Sequence, residues 1–230
     1  YNKFKVGASI FPRSLYFVDI ISHTNSLIAI KTSYEIYRVV KEPWKSFTYK
    51  EIKNIFKNKS DNYTHSNLRY FVQIEILKSQ KIGNNVIYSL NDSITALNII
   101  GFIAEYEASK VKYLPHLNIQ RLINKIKTNF FILIVTGSYA NNKQKSTSDL
   151  DIVIICEQEP KKILSEIKLE SELLMPEIHP YVFTEDQFFQ MLINKEENYG
   201  KEIAKNNLII SGGKEYYSII KEAIKYGFNG

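Results

Sequence analysis

Two apolar runs joined by a polar loop constrain this chain more than any other feature it carries. The stretch Val135-Thr-Gly-Ser-Tyr-Ala-Asn-Asn-Lys-Gln-Lys-Ser-Thr-Ser-Asp-Leu-Asp-Ile-Val-Ile-Ile155 sets Gly137-Ser138 behind the first run and Asp149-x-Asp151 at the head of the second. Residues Phe130 to Val135 are apolar and rich in β-branched side chains, which reads as a buried strand. Gly137 lets the backbone turn sharply and approach a ligand closely. Ser138 presents a hydroxyl and an N–H at the expected start of a short helix, where phosphate is favoured. Asp149 and Asp151 stand two apart on the expected second strand, so both carboxylates leave the same face. Two converging carboxylates suit a hard, oxygen-seeking Mg²⁺, with substrate phosphates completing its octahedron. As an ordinary turn and a strand end, the segment would need no such pair of carboxylates.

The segment resembles the signature of the DNA polymerase β-like nucleotidyltransferases, in particular their small prokaryotic minimal forms. Gly137, Ser138, Ala140, Ser148, Asp149 and Asp151 match that pattern at its spacing. Asn142 stands where a second loop glycine is usual, and asparagine tolerates the left-handed backbone better than most residues. The resemblance implies that Ser138 and neighbouring amides hold the terminal phosphates of an NTP, ATP being the first choice. It also implies that Asp149 and Asp151 ligate the metal, here Mg²⁺. Ser148 falls within the matched pattern, while Lys143 and Lys145 read equally well as triphosphate contacts or as a solvated basic loop.

The same family adds an acidic residue from a later strand, expected here within Met175-Pro-Glu-Ile-His-Pro-Tyr-Val-Phe-Thr184. Alternation puts Glu177, His179, Tyr181 and Phe183 on one face. Glu177 is the only carboxylate of the four and is the candidate third catalytic acid, yet the register brings His179 or Tyr181 nearer the family's acidic position. His179 fits a base or ligand role, or a purely structural one. An enzyme with three carboxylates, one with two, and a nucleotide-binding domain without chemistry all stay open.

Composition narrows the remaining classes. The 230 residues are 44% hydrophobic and 13% aromatic, enough for a sizeable core and contrary to disorder. The single cysteine, Cys156, forms no internal disulfide and reads as a core residue in a reducing compartment. Cys and His show no zinc-site spacing, no apolar run spans a bilayer, and no signal peptide is visible. A cytoplasmic protein without membrane association is the expectation. The 16 Tyr and 13 Phe recur mostly at helical spacing, so they read as packing rather than base stacking.

The first half carries a different pattern. Residues 1–25 receive no assignment. From Ser26, Leu27, Ile30, Tyr34, Tyr37 and Val40 recur at helical spacing up to Pro43. Thr48 and Glu51 form a capping box for a helix through Phe56. A third helix is expected from Thr64 to Lys78, then a hairpin around Gly83-Asn84-Asn85. Three helices and a hairpin resemble the order of a winged helix-turn-helix over residues 26–92. Eleven Lys and Arg against six Asp and Glu give this stretch +5 of the chain's formal +6. The resemblance implies duplex DNA, with His65, Ser66, Asn67 and Arg69 entering the major groove and Lys81 and Asn84 meeting phosphates. The other reading is a packing module or a homodimer surface.

Residues 93–117 are expected to form a linker helix capped by Asp92, and residues 118–230 the nucleotidyltransferase-like domain. The C-terminal order is helix 118–128, the two strands of the motif, a helix from Pro160, a strand at 178–183, a helix capped by Thr184, then helices near 199–205 and 213–226 around strand 208–210. The fold class is therefore α+β, with a small mixed sheet flanked by helices behind an N-terminal winged helix. Three functions follow: transfer of a nucleoside monophosphate from an NTP to an acceptor hydroxyl, a DNA-binding regulator that senses nucleotide, or an antitoxin-like component holding a helical partner protein.

Overall fold

The computed structural model describes residues 35–57, 59–128, 130–157 and 159–230. The unassigned segment 1–25 and the start of the helix expected from Ser26 lie outside the described residues. The first described element, α1, is helical over residues 35–40. It is followed by β1 (Phe47–Thr48), α2 (Tyr49–Ile55), α3 (Asp61–Gln73), β2 (Leu77–Ile82) and β3 (Asn85–Leu90). The order continues with α4 (Ile94–Ser109), α5 (His116–Ile123), β4 (Phe131–Val135), α6 (Gly137–Ala140) and β5 (Leu150–Cys156). It closes with α7 (Pro160–Leu173), β6 (Ile178–Thr184), α8 (Glu185–Ile193), α9 (Tyr199–Lys205), β7 (Leu208–Ser211) and α10 (Gly213–Lys225).

Local chemistry fixes several boundaries. The Thr48 hydroxyl accepts the Glu51 N–H while the Glu51 carboxylate takes the Thr48 N–H, a reciprocal cap on α2. Thr184 and Gln187 repeat the device on α8. Two expectations need correction here. The third helix starts at Asp61, capped by Ser60, and stops at Gln73, because Glu75 adopts a left-handed backbone (φ 59°) and sends Leu77 and Lys78 into β2. Ser93, not Asp92, caps α4 through the Ala96 N–H, which leaves Asp92 for ion pairs with Lys221 at 2.6 Å and Lys78 at 3.4 Å.

Two antiparallel or mixed sheets organise the chain. The smaller is three-stranded with order β1-β3-β2, its hairpin turning on Gly83-Asn84. The larger has order β6-β5-β4-β7, with β4 antiparallel to β5 and β7 and β5 parallel to β6. Apolar side chains alternate through it, so each face is covered. On one face Ile132, Ile134, Val153, Ile155 and Ile209 join α4, α8, α9 and α10 in a core that continues into residues 36–90. On the other, Leu133, Val135, Leu150, Ile152, Ile154 and Cys156 pack with Ile119 and Leu122 of α5 and Ile163 and Ile167 of α7.

The helix expected as a linker lies against α10 and β7. Gly101 of α4 meets Gly213 at the start of α10 backbone to backbone, an approach that no larger residue would permit. The Glu105 carboxylate, largely buried, accepts the Gly213 N–H at 2.7 Å. Trp44 packs edge-on against Phe228, with ring centroids 5.2 Å apart, so the first described residues and the last share one core. Among the described residues, no helix is long and apolar enough to cross a membrane.

Candidate active site

The site gathers at one end of the larger sheet, where β4 runs into α6, β5 begins and β6 begins. Three backbone links hold these ends together. The Thr136 N–H donates to Asp151 O at 3.0 Å, the Leu150 N–H donates to Glu177 O at 2.8 Å, and parallel pairing sets Asp151 opposite His179. Below them, buried Thr136 donates its hydroxyl to Asn206 O at 2.9 Å, which anchors the end of α9 beneath the turn.

Gly137 is required here on two counts. Its φ of 66° lies in the left-handed region, and a Cβ at that position would run into the Asp151 carboxylate. Backbone and carboxylate are therefore packed as close as glycine allows. Asn142 also takes a left-handed backbone (φ 54°), the conformation expected of it as the stand-in for a loop glycine. The loop is further closed by the Lys143 N–H on Ser138 O and by the Lys145 N–H on the Ser148 hydroxyl, both at 2.9 Å. Ser148 thus spends its hydroxyl on the loop itself. Lys143 and Lys145 are exposed, and Ser138 is half-buried at the turn.

The carboxylates separate into two environments. Asp149 precedes β5 rather than lying on it and is exposed, whereas Asp151 is the second strand residue and half-buried. Desolvation pushes the Asp151 carboxyl above its ordinary range; Asp149 and Glu202 add to this, and His179 opposes it. Asp149, Glu177 and His179 come together with one ligand-type atom of each within 4.8 Å of the others. The imidazole bridges the pair, with Nδ1 3.8 Å from Asp149 Oδ2 and Nε2 3.5 Å from Glu177 Oε1. Donors about 2.1 Å from a six-coordinate cation lie about 3 Å apart when adjacent and about 4.2 Å when opposite. These three exposed side chains could hold a divalent cation once the imidazole offers a single nitrogen to it and the two carboxylates close on that ion. Asp151, expected as a metal ligand beside Asp149, lies outside this group of three.

Two residues that sequence reasoning passed over complete the wall. Tyr199 and Glu202, from α9, both interact electrostatically with Asp151. Burial, with Tyr181, Asp151 and Glu202 nearby, holds the Tyr199 hydroxyl well above the usual phenol range. Its ring lies 5.0 Å from that of Tyr181 and 6.3 Å from that of Phe183. The strand alternation that put Tyr181 and Phe183 on the His179 face is thus matched by an aromatic partner from a distant helix.

The residues expected to read DNA sit elsewhere, on α3 and the hairpin. His65 stacks on Tyr49 with centroids 4.0 Å apart, and the Asn67 amide donates to Tyr63 O at 2.8 Å, so both are engaged by the protein. Ser66, Arg69, Lys81 and Asn84 are exposed. Lys45, Lys53, Lys59 and Lys78 of the same region are paired with carboxylates.

Neither the curated proteins nor the solved structures contain a match to the chain. Over residues 119–210, from within α5 to the third residue of β7 and across all four strands of the larger sheet, the chain matches the nucleotidyltransferase domain family.

Proposed function

We propose that this protein transfers a nucleoside monophosphate from an NTP to an acceptor hydroxyl. The observation that carries the reading is the close packing of Gly137 on the Asp151 carboxylate, beside Ser138, inside a segment that matches the nucleotidyltransferase domain. Ser138 and the amides of its turn hold the terminal phosphates. Lys143 and Lys145, from the exposed loop, approach the same charge, and Ser148 keeps that loop closed. Asp149, Glu177 and His179 are the residues that would hold a divalent cation, with Asp151 at their edge. Such a cation, when bound, neutralises phosphate charge and favours in-line displacement. The acceptor oxygen bonds to the α-phosphorus as the bond to the β-phosphate oxygen breaks. Pyrophosphate leaves, and the hydroxyl proton passes to a carboxylate of the Asp149, Asp151 and Glu177 set. Positioning and charge stabilisation supply most of the acceleration in chemistry of this kind. ATP, tested beside GTP, CTP and UTP with an α-³²P label, should transfer label to an acceptor only in protein with Asp149 and Asp151 intact. Transfer that persists in Asp149→Asn/Asp151→Asn protein would reject the proposal.

A second role is supported by the element order before residue 92. Helix α1, strand β1, helices α2 and α3 and the β2–β3 hairpin, with β1 paired to β3, follow the order of a winged helix. In this reading Arg69 and Ser66 face the major groove, while Lys81 and Asn84 meet phosphates from the hairpin. Binding to duplex DNA should weaken steeply with salt and weaken further in Arg69→Ala/Lys81→Ala protein. Unchanged binding in that variant would remove α3 and the hairpin from the contact.

A further inference from the structure

We propose that His179 makes the cation site selective for a first-row transition dication over Mg²⁺. The inference rests on the nucleotidyltransferase reading, which is what puts a dication at this end of the sheet. It departs from the all-oxygen site expected from Asp149 and Asp151 because the residues that converge are two carboxylates and an imidazole.

The placement of His179 is built into the sheet. Parallel pairing fixes it opposite Asp151, and alternation turns it to the face that carries Tyr181 rather than into the core with Ile178. Glu177 lies two residues earlier, so its side chain leaves toward the same side, and its carbonyl is held by the Leu150 N–H. The ring consequently stands between Asp149 and Glu177 with one nitrogen toward each.

Ligand chemistry then decides the metal. Mg²⁺ demands oxygen donors in a near-ideal octahedron and gives up its waters reluctantly. Imidazole nitrogen suits Fe²⁺, Ni²⁺ and Zn²⁺ best, and Mn²⁺ stands lowest in the first-row series; a gain of Mn²⁺ over Mg²⁺ through His179 is therefore the most demanding form of the claim. An imidazole that only bridged two carboxylates as an ion pair would give no such discrimination, so the two roles of His179 differ in a measurable ratio.

Mn²⁺ is the probe, titrated into the full chain without nucleotide and followed by the EPR signal of the free ion, with Mg²⁺ as competitor. Wild type should retain Mn²⁺ against a large excess of Mg²⁺. His179→Asp, which restores an all-oxygen set, should lower the Mn²⁺ to Mg²⁺ affinity ratio about tenfold or more, and His179→Ala should weaken Mn²⁺ by a similar factor. The ratio is internal to each variant, so partial loss of folded protein leaves it readable. An unchanged ratio in His179→Asp, or Mn²⁺ binding indifferent to His179→Ala, overturns the proposal. A parallel titration with a non-hydrolysable ATP analogue separates the two claims. Mn²⁺ held through His179 without triphosphate binding upholds the metal assignment and defeats the transfer reading. Triphosphate bound equally well with Mg²⁺ and in His179→Ala does the reverse.

Discussion

Gly83 and Gly137 share a backbone conformation and almost nothing else. Both have positive φ, 59° and 66°, and both follow a strand. Around Gly83 a side chain would meet nothing within 4 Å, because the β2–β3 hairpin projects its turn into solvent. Around Gly137 a side chain would strike the Asp151 carboxylate. The first glycine serves the turn alone. The second serves the turn and the approach of a carboxylate, and that added demand is what marks a site. The difference extends to the surrounding sheets. Five of the six β2 residues are exposed, whereas β4 and β5 are buried almost throughout and carry functional groups only at one end.

The sharpest way to break this comparison is to give both glycines a methyl group. Gly137→Ala should cut nucleotidyl transfer by about 10²-fold or more, since a displaced carboxylate or phosphate turn is enough for that loss. Gly83→Ala should leave transfer unchanged and cost about 1 kcal/mol of stability through backbone strain alone. Steady-state transfer assays beside urea unfolding measure both. Equal losses of transfer would mean that Gly137, too, is only a turn.

The next effect concerns the joint between the two sheets. Lys221 of α10 is 9% exposed, pairs with Asp92 and donates to Leu90 O at 3.3 Å, whereas Asp92 is 48% exposed. Removing Asp92 strands a buried ammonium; removing Lys221 leaves a carboxylate that water can reach. Asp92→Ala should therefore destabilise by about 2–3 kcal/mol, the low end for a broken buried pair because solvent screens Asp92. Lys221→Met should cost about 1 kcal/mol or less. Urea midpoints give the order, and a reversed order would refute the account of the joint.

The smallest effects are those of pH. Partial burial works against ionised Asp92, yet Lys221 and Lys78 outweigh it and hold the carboxyl below its ordinary range. A depressed folded value means that this stability is present above the unfolded value, about pH 4, and is lost as pH falls through the folded one. Glu105 has the opposite sign. Burial lifts its carboxyl despite the Gly213 N–H, so acidification through that raised value favours the folded, protonated form. Glu105→Gln should change stability at pH 7 by about 1 kcal/mol or less and remove this acid-side gain. Unfolding curves at pH 7 and pH 5 for wild type and Glu105→Gln would detect it.

Legibility in the sequence followed the range of the interactions. The capping box at Thr48, the N-cap at Thr184, the proline that opens α7 and the apolar strands β4 and β5 are local, and the sequence reading located them. The limits of α3 escaped it. Polar Asp61, Asn62 and Tyr63 hide its first turn, and the left-handed stop falls on Glu75, where no glycine marks it. At the site, Gly137, Ser138, Asp149 and Asp151 stand close together in the chain and carry their own spacing. Tyr199 and Glu202 reach Asp151 from a helix that is packed into the core by Ile203 and Ala204 and tied at its end by Thr136, tertiary contacts with no local signature. The grouping of Glu177 and His179 with Asp149 follows from strand register, and alternation alone supplied the shared face without the partner across it.

Calorimetric titration of a non-hydrolysable ATP analogue with a divalent cation, into wild type and Asp149→Asn/Asp151→Asn, tests the central claim most directly. The account predicts cation-dependent binding that the double substitution abolishes, with the fold unchanged by circular dichroism. Cation-dependent binding that survives the substitution, or no binding of the ATP, GTP, CTP or UTP analogue to wild type, would contradict a working triphosphate site at this end of the sheet.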